Sequence, residues 1–111
     1  MQSKDLEAFR NVPFLVWVKD DNWRYIWGNG AIDELAGERV VGKKDSELAW
    51  KAHAEALVKN DEEVLTSGRP HFMHERVDHS EHGKASLNVC KWVDEFNGQS
   101  RVFGISFIIP D

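Results

Sequence analysis

The segment 101–109, Arg-Val-Phe-Gly-Ile-Ser-Phe-Ile-Ile, constrains this chain more than any other. Strand side chains point alternately to opposite faces. Phe103, Ile105, Phe107 and Ile109 therefore share one face, and Val102 and Ile108 take the other. A strand that is apolar on both faces belongs in the middle of a sheet. The chain must supply its neighbours from 111 residues, the size of one domain.

The candidate partners are legible. Residues 85–93 alternate, with Leu87, Val89 and Val93 on one face. They connect to the last strand through Asp94–Gly98, whose Asn97-Gly98 pair is a hairpin signal. Residues 71–77 form a third strand with two possible faces, one carrying Phe72, His74 and Arg76, the other His71, Met73, Glu75 and Val77. Upstream, Phe14–Val18 and Arg24–Trp27 are rich in β-branched and aromatic residues and flank Asp20-Asp21-Asn22, which is turn chemistry. Helical segments lie elsewhere. Ser3 caps a short helix to Arg10 that stops before Pro13; Asn29 caps Ala31–Leu35, closed by Gly37; Asp45 caps a start at Ser46–Trp50. A longer helix then runs to about Thr66 and ends at Ser67-Gly68-Arg69-Pro70. The expected fold is α+β: a five-stranded antiparallel sheet with short helices covering one face. Residues 1–10 are a flanking helix and 11–111 a single domain. The gap between sheet and helices is the natural ligand site.

The charge balance excludes several functions. Fourteen basic and nineteen acidic residues give −5, and the basic residues are scattered, so direct nucleic-acid binding is not expected. No apolar run approaches a membrane span, and the first residues lack the apolar core of a signal peptide. One cysteine, Cys90, permits neither an intrachain disulfide nor a cysteine-based zinc site. The expected setting is cytoplasmic.

Several motifs in order resemble the PAS sensory domain family: Val18-Lys19-Asp20-Asp21-Asn22; Asn29; Leu35-x-Gly37; Val41-Gly42-Lys43-x-Asp45-x-Glu47-Leu48-x-Trp50; Asp61-x-x-Val64-Leu65-x-Ser67-Gly68-x-Pro70; Lys91-x-Val93-x-Glu95-x-Asn97-Gly98; and Val102-x-Gly104-Ile105-Ser106. The resemblance covers Phe9 to Phe107. It implies a sensory module of a larger bacterial signal-transduction protein, such as a histidine kinase, diguanylate cyclase or transcription regulator. Such a module binds a small molecule, dimerises, or does both, and relays the signal to an effector in the same chain; a homodimer is expected here, through the N-terminal helix with Leu6 and Phe9 on one side and the open sheet face. The Asp-Ile-Thr motif that commonly comes after the family's last strand is not present, since the sequence ends Pro110-Asp111. No catalytic residues and no resident cofactor are expected.

Individual residues sharpen these expectations. Trp17, Trp27, Trp50 and Trp92 either line a pocket for a planar or cationic ligand or fill it. The candidate lining is Trp27, Trp50, His53, Met73, Glu75, Lys91 and Ile105. Glu75 and Lys91 either face inward or form a surface ion pair, the commoner arrangement. A haem-binding gas or redox sensor would use His53 as its axial ligand, although Leu57 occupies the position where the resemblance puts the family's haem histidine. His79 and His82, with Asp78 and Glu81, carry metal-ligand chemistry or form a solvated turn. A flavin-reactive cysteine is not expected, because Cys90 stands on a late strand. The competing class is a small cone-shaped isomerase or dehydratase, for which His53 with Asp45 is the one pair that could serve as base.

Overall fold

The computed structural model describes the backbone of residues 1–79 and 83–109, with side chains omitted at 77–79. Strands β1 (Leu15–Lys19), β2 (Tyr25–Gly28), β3 (His71–His79), β4 (Gly83–Phe96) and β5 (Gln99–Ile109) form one antiparallel sheet in the order β2-β1-β5-β4-β3. The doubly apolar strand β5 is central, as its composition requires. The β4–β5 connection is tighter than a five-residue loop. Pairing continues to Phe96↔Gln99, and Asn97 (φ 52°) and Gly98 (φ 85°) make the whole turn, matching the left-handed backbone of a two-residue hairpin.

Helices α2 (Gly30–Ala36) and α3 (Ala54–Ser67) lie on one face, which we term inner. Its core contains Leu15, Trp17 and Tyr25 from β1 and β2, Leu87 and Val89 from β4, and Ile32, Leu35, Leu48, Trp50 and Leu57 from the helical segments. The long helix starts later than the sequence suggests. Residues 45–53 wind as two separate 3-10 turns, Asp45–Glu47 and Lys51–His53, interrupted by an extended Leu48 (φ −115°, ψ 176°). Asp45 does not cap a helix; its side chain turns inward.

The N-terminal helix α1 (Ser3–Leu6) and the 3-10 turn Glu7–Phe9 belong to the opposite, outer face. The residue before α1 is Gln2 rather than Ser3, and its N–H bonds to Asp5 Oδ2 at 2.7 Å. Leu6 packs with Val16, Val18, Trp27, Phe96 and Phe103. The terminal ammonium reaches Glu95 at 2.7 Å and the Arg10 guanidinium donates to the Gly28 carbonyl at 2.7 Å, so the segment is tied at both ends. Leu6 is therefore covered by its own chain.

Asn29 joins the two hairpin strands to this segment. It is fully buried, its Oδ1 accepts from Val16 N–H (3.1 Å) and Ile32 N–H (3.3 Å), and its Nδ2 donates to the Phe9 and Phe14 carbonyls at 2.9 and 2.8 Å. The helix cap expected from sequence is one of these four bonds.

Candidate functional site

Three strands, α3 and the first 3-10 turn bring five ionisable side chains together between sheet and helices. Lys19, at the end of β1, is 1% exposed. Its Nζ lies 2.5 Å from Asp45 Oδ2 and 2.6 Å from Asp61 Oδ2 on α3. Lys91 on β4, also 1% exposed, lies 3.1 Å from Asp61 Oδ1 and 3.0 Å from Glu75 Oε2 on β3. The charges alternate along a line, Asp45–Lys19–Asp61–Lys91–Glu75. Asp45 closes one end by accepting from Tyr25 O–H (2.7 Å) and Trp50 Nε1–H (2.8 Å). Glu75 forms the other end.

The two ends differ in how well they are satisfied. Asp45 has three aligned donors. Asp61 Oδ1 and Glu75 Oε2 are within ion-pair distance of the Lys91 ammonium yet accept no aligned hydrogen bond. Distance alone supplies Coulomb attraction, whereas a hydrogen bond also requires direction. At both oxygens the electrostatic contact is present and the directed bond is not.

The line borders a cavity of about 30 Å³, walled by Leu15, Trp17, Ile32, Leu35, Leu57 and Leu87, with Lys19, Tyr25, Trp50, Glu75 and Lys91 as its polar rim. Space of this size accommodates roughly one water. Gly104, opposite Trp17 in the β1–β5 register, makes room for the indole wall. A Cβ there would meet the Trp17 ring carbons at 2.2 Å.

Burial disfavours the Lys19 ammonium, but the charges of Asp61 and Asp45 outweigh it and raise its pKa above the ordinary 10.5. Burial likewise opposes the Asp45 carboxylate, and Lys19, with the Tyr25 and Trp50 donors, brings its pKa below the ordinary 3.8. Burial first, then the Asp45 charge, pushes the Tyr25 phenol well above its usual value, so it remains an O–H donor. These shifts fix the sign of the pH dependence. The depressed Asp45 contributes stability above its unfolded value and loses that contribution as pH falls through its folded one. The raised Lys19 contributes below 10.5 and loses that contribution as pH rises through its folded value. Urea midpoints should be flat from about pH 5 to 9 and fall on both sides. In Lys19→Met the alkaline fall should shrink relative to wild type; an unchanged alkaline limb would contradict the assignment.

A family profile described as the PAS fold matches residues 9–106. This chain belongs to the PAS fold family. Solved structures agree on the fold. The Vibrio cholerae protein VqmA, in a complex with ligand and DNA, superposes with a TM-score of 0.84 at 18% identity over 97% of this chain and 51% of its own. A PAS domain of an HTR-like protein from Haloarcula marismortui gives 0.75 at 21% identity, covering 96% of this chain and 91% of that one. A PAS domain from Colwellia psychrerythraea gives 0.75 at 17%, covering 96% and 94%. The chain thus spans about half the length of VqmA. No curated protein matches the sequence.

Within this PAS domain the residues singled out from sequence separate into two groups. Trp50, Glu75 and Lys91 line the inner cavity. Met73 packs on the inner core without reaching the cavity wall. Ile105 lies on the outer face, because it shares the parity of Phe103. Trp27 is also on the outer face, with the Arg10 guanidinium 4.8 Å from its ring centroid. The cause is a register shift opposite Val18 and Lys19. Lys19 pairs with Tyr25 and Val18 with Trp27, leaving Ile26 as the extra residue. A bulge of this kind reverses the facing of the residues beyond it, so Tyr25 points in and Trp27 out. Trp92 joins Phe103 on the outer face, with ring centroids 5.6 Å apart.

His53 is half-buried in the second 3-10 turn and is not among the residues lining the cavity. Asp45 is engaged by Lys19, Tyr25 and Trp50. The candidate metal cluster rested on the side chains of Asp78, His79, Glu81 and His82, which lie outside the described residues. Among the described residues no group of three or more His, Cys, Asp and Glu side chains could hold a metal. Burial pushes the Cys90 thiol up, which keeps it protonated. Among the described residues no helix is long and apolar enough to cross a membrane.

Sequence reasoning missed Lys19 and Asp61, the two residues that hold the line together, and assigned Asp45 the wrong role. The signals were present as periodicity. Lys19 has the parity of Leu15 and Trp17, and Asp61 stands between Leu57 and Val64 on the buried stripe of α3.

Proposed function

We propose that this PAS domain is the non-catalytic sensory module of a larger cytoplasmic signalling protein, binding a small molecule at the inner cavity. The observation that carries this reading is the buried line of five ionisable side chains around that cavity. Ionic groups in a small core are a poor means of stabilisation, since well-packed apolar side chains do as well or better. Their presence beside an aromatic wall suits recognition, where a few convergent polar groups orient a ligand within an apolar site. VqmA, of the same fold, is described bound to a ligand and to DNA, and as a dimer.

Signalling by such a module is population shift. The ligand must favour one arrangement of sheet and helices over another by its differential affinity. The free cavity holds about one water, so a ligand of several atoms has to move a wall. The helical wall (Leu57 on α3, Trp50 between the 3-10 turns) is the part not held by ladder hydrogen bonds, and its displacement would pull on Lys19 through Asp45 and Asp61. A melting screen against small metabolites tests the reading. At least one compound should raise the melting temperature in a concentration-dependent way, as ligand linkage requires. No shift by any compound at millimolar concentration would overturn it.

We also propose a homodimer through the outer face beyond α1. Phe72 is 79% exposed and Phe107 52%, and with Cys90 and Ile105 they line a shallow groove over β3, β4 and β5. Contiguous exposed aromatic surface of this kind marks an interaction site. Phe107→Asp should move sedimentation from dimer to monomer with little loss of stability. A dimer that survives the substitution excludes this face.

A further inference from the structure

We propose, on the reading that the inner cavity is a ligand site, that its ligand is a compact organic cation, a protonated amine of a few heavy atoms, held by Glu75. Net charge and the unused acceptor oxygens of Asp61 and Glu75 both point to such a ligand, while Trp17 Nε1 is a buried donor likewise without a partner among the described residues. The line contains three carboxylates, Asp45, Asp61 and Glu75, and two ammonium groups, Lys19 and Lys91. Among the described residues lining or bordering the cavity no further ionic side chain adds to these, so the formal sum is one negative charge. Uncompensated charge is costly in a low-dielectric interior.

The surplus has a location. Asp45 is shared by Lys19 and two neutral donors, and Asp61 stands between both lysines. Among the described residues Glu75 has Lys91 alone, its side chain is 8% exposed, and its Oε2 accepts no aligned hydrogen bond. Glu75 lines the cavity together with Trp17 and Trp50. A monocation donating N–H to Glu75 cancels the surplus and supplies the missing directed bond. An anionic ligand would double the buried charge, and a neutral one would leave it as it is. Because the free volume holds about one water, even a short branched non-polar part requires the wall at Leu57 to move outward.

The test uses three probes of nearly equal size and shape that differ in head group: isobutylamine, isobutyramide and isobutyrate. Each is titrated at pH 7 into the whole chain, and the indole N–H signals of Trp17 and Trp50 are followed by NMR, with Trp23, Trp27 and Trp92 as internal controls. Isobutylamine should shift the Trp17 and Trp50 signals and bind at least tenfold more tightly than the amide, and isobutyrate should not bind. In Glu75→Gln, which keeps the shape and removes the charge, the amine should fall to the level of the amide. Equal or tighter binding of the amide or the acid at the same two indoles overturns the cation assignment while leaving the cavity as a ligand site. Unchanged amine affinity in Glu75→Gln also overturns it. No shift from any probe overturns the cation assignment, and silence in the metabolite screen as well removes the ligand site itself. The ranking in the unaltered protein decides the matter even where Glu75→Gln does not fold.

Discussion

Lys19→Met should destabilise the domain by about 3–5 kcal/mol, the range seen when one partner of a buried ion pair is removed. The cost comes from the groups that remain. Asp45 and Asp61 are essentially without solvent contact and both lean on the same ammonium, at 2.5 and 2.6 Å. Without it, two carboxylates stay buried, one of them still held by Tyr25 and Trp50 and the other by Lys91 alone. Small domains have only about 5–15 kcal/mol in total, so a large fraction of the stability goes with one side chain. The double variant Lys19→Met/Asp61→Asn should recover part of the loss, because it removes a stranded charge. Urea midpoints give both values. A cost below about 1 kcal/mol, the worth of an exposed pair, would contradict the account.

Asn29→Ala should cost about 2–4 kcal/mol rather than the roughly 1 kcal/mol of a lost helix cap. The side chain satisfies two backbone N–H groups and two carbonyls that belong to β1, α2 and the N-terminal connection. Alanine leaves these groups to find other partners at a position with no solvent contact. Asn29→Asp keeps both acceptor bonds and loses both donor bonds, so it should also be strongly destabilising. A loss near 1 kcal/mol for Asn29→Ala would reduce this residue to its capping bond.

The sheet was legible in the sequence because local rules act on contiguous residues. Doubly apolar β5 required a central place, and Asn97-Gly98 required a tight hairpin. The site was legible only in part. Period two places Lys19 with Leu15 and Trp17, and Lys91 with Leu87 and Val89, on the inner face. Lysine and aspartate are almost never fully buried without a partner, and the partners here are remote. Lys19 and Asp61 are 42 positions apart. No local pattern announces such a pair; only the packing of α3 across β1 and β4 creates it. Trp27 was misplaced for a different reason. A single extra residue at Ile26 reverses the facing of the strand, and nothing in Tyr-Ile-Trp-Gly signals a bulge.

The inner cavity beside the charge line is the proposed sensing site, and the direct measurement is where a ligand sits. With the compound that raises the melting temperature most, intermolecular NOEs should run from its protons to Trp17, Trp50, Leu57 and Leu87, the walls beside Glu75 and Lys91. NOEs confined to Phe72, Ile105 and Phe107 would put the ligand on the outer groove and contradict the account.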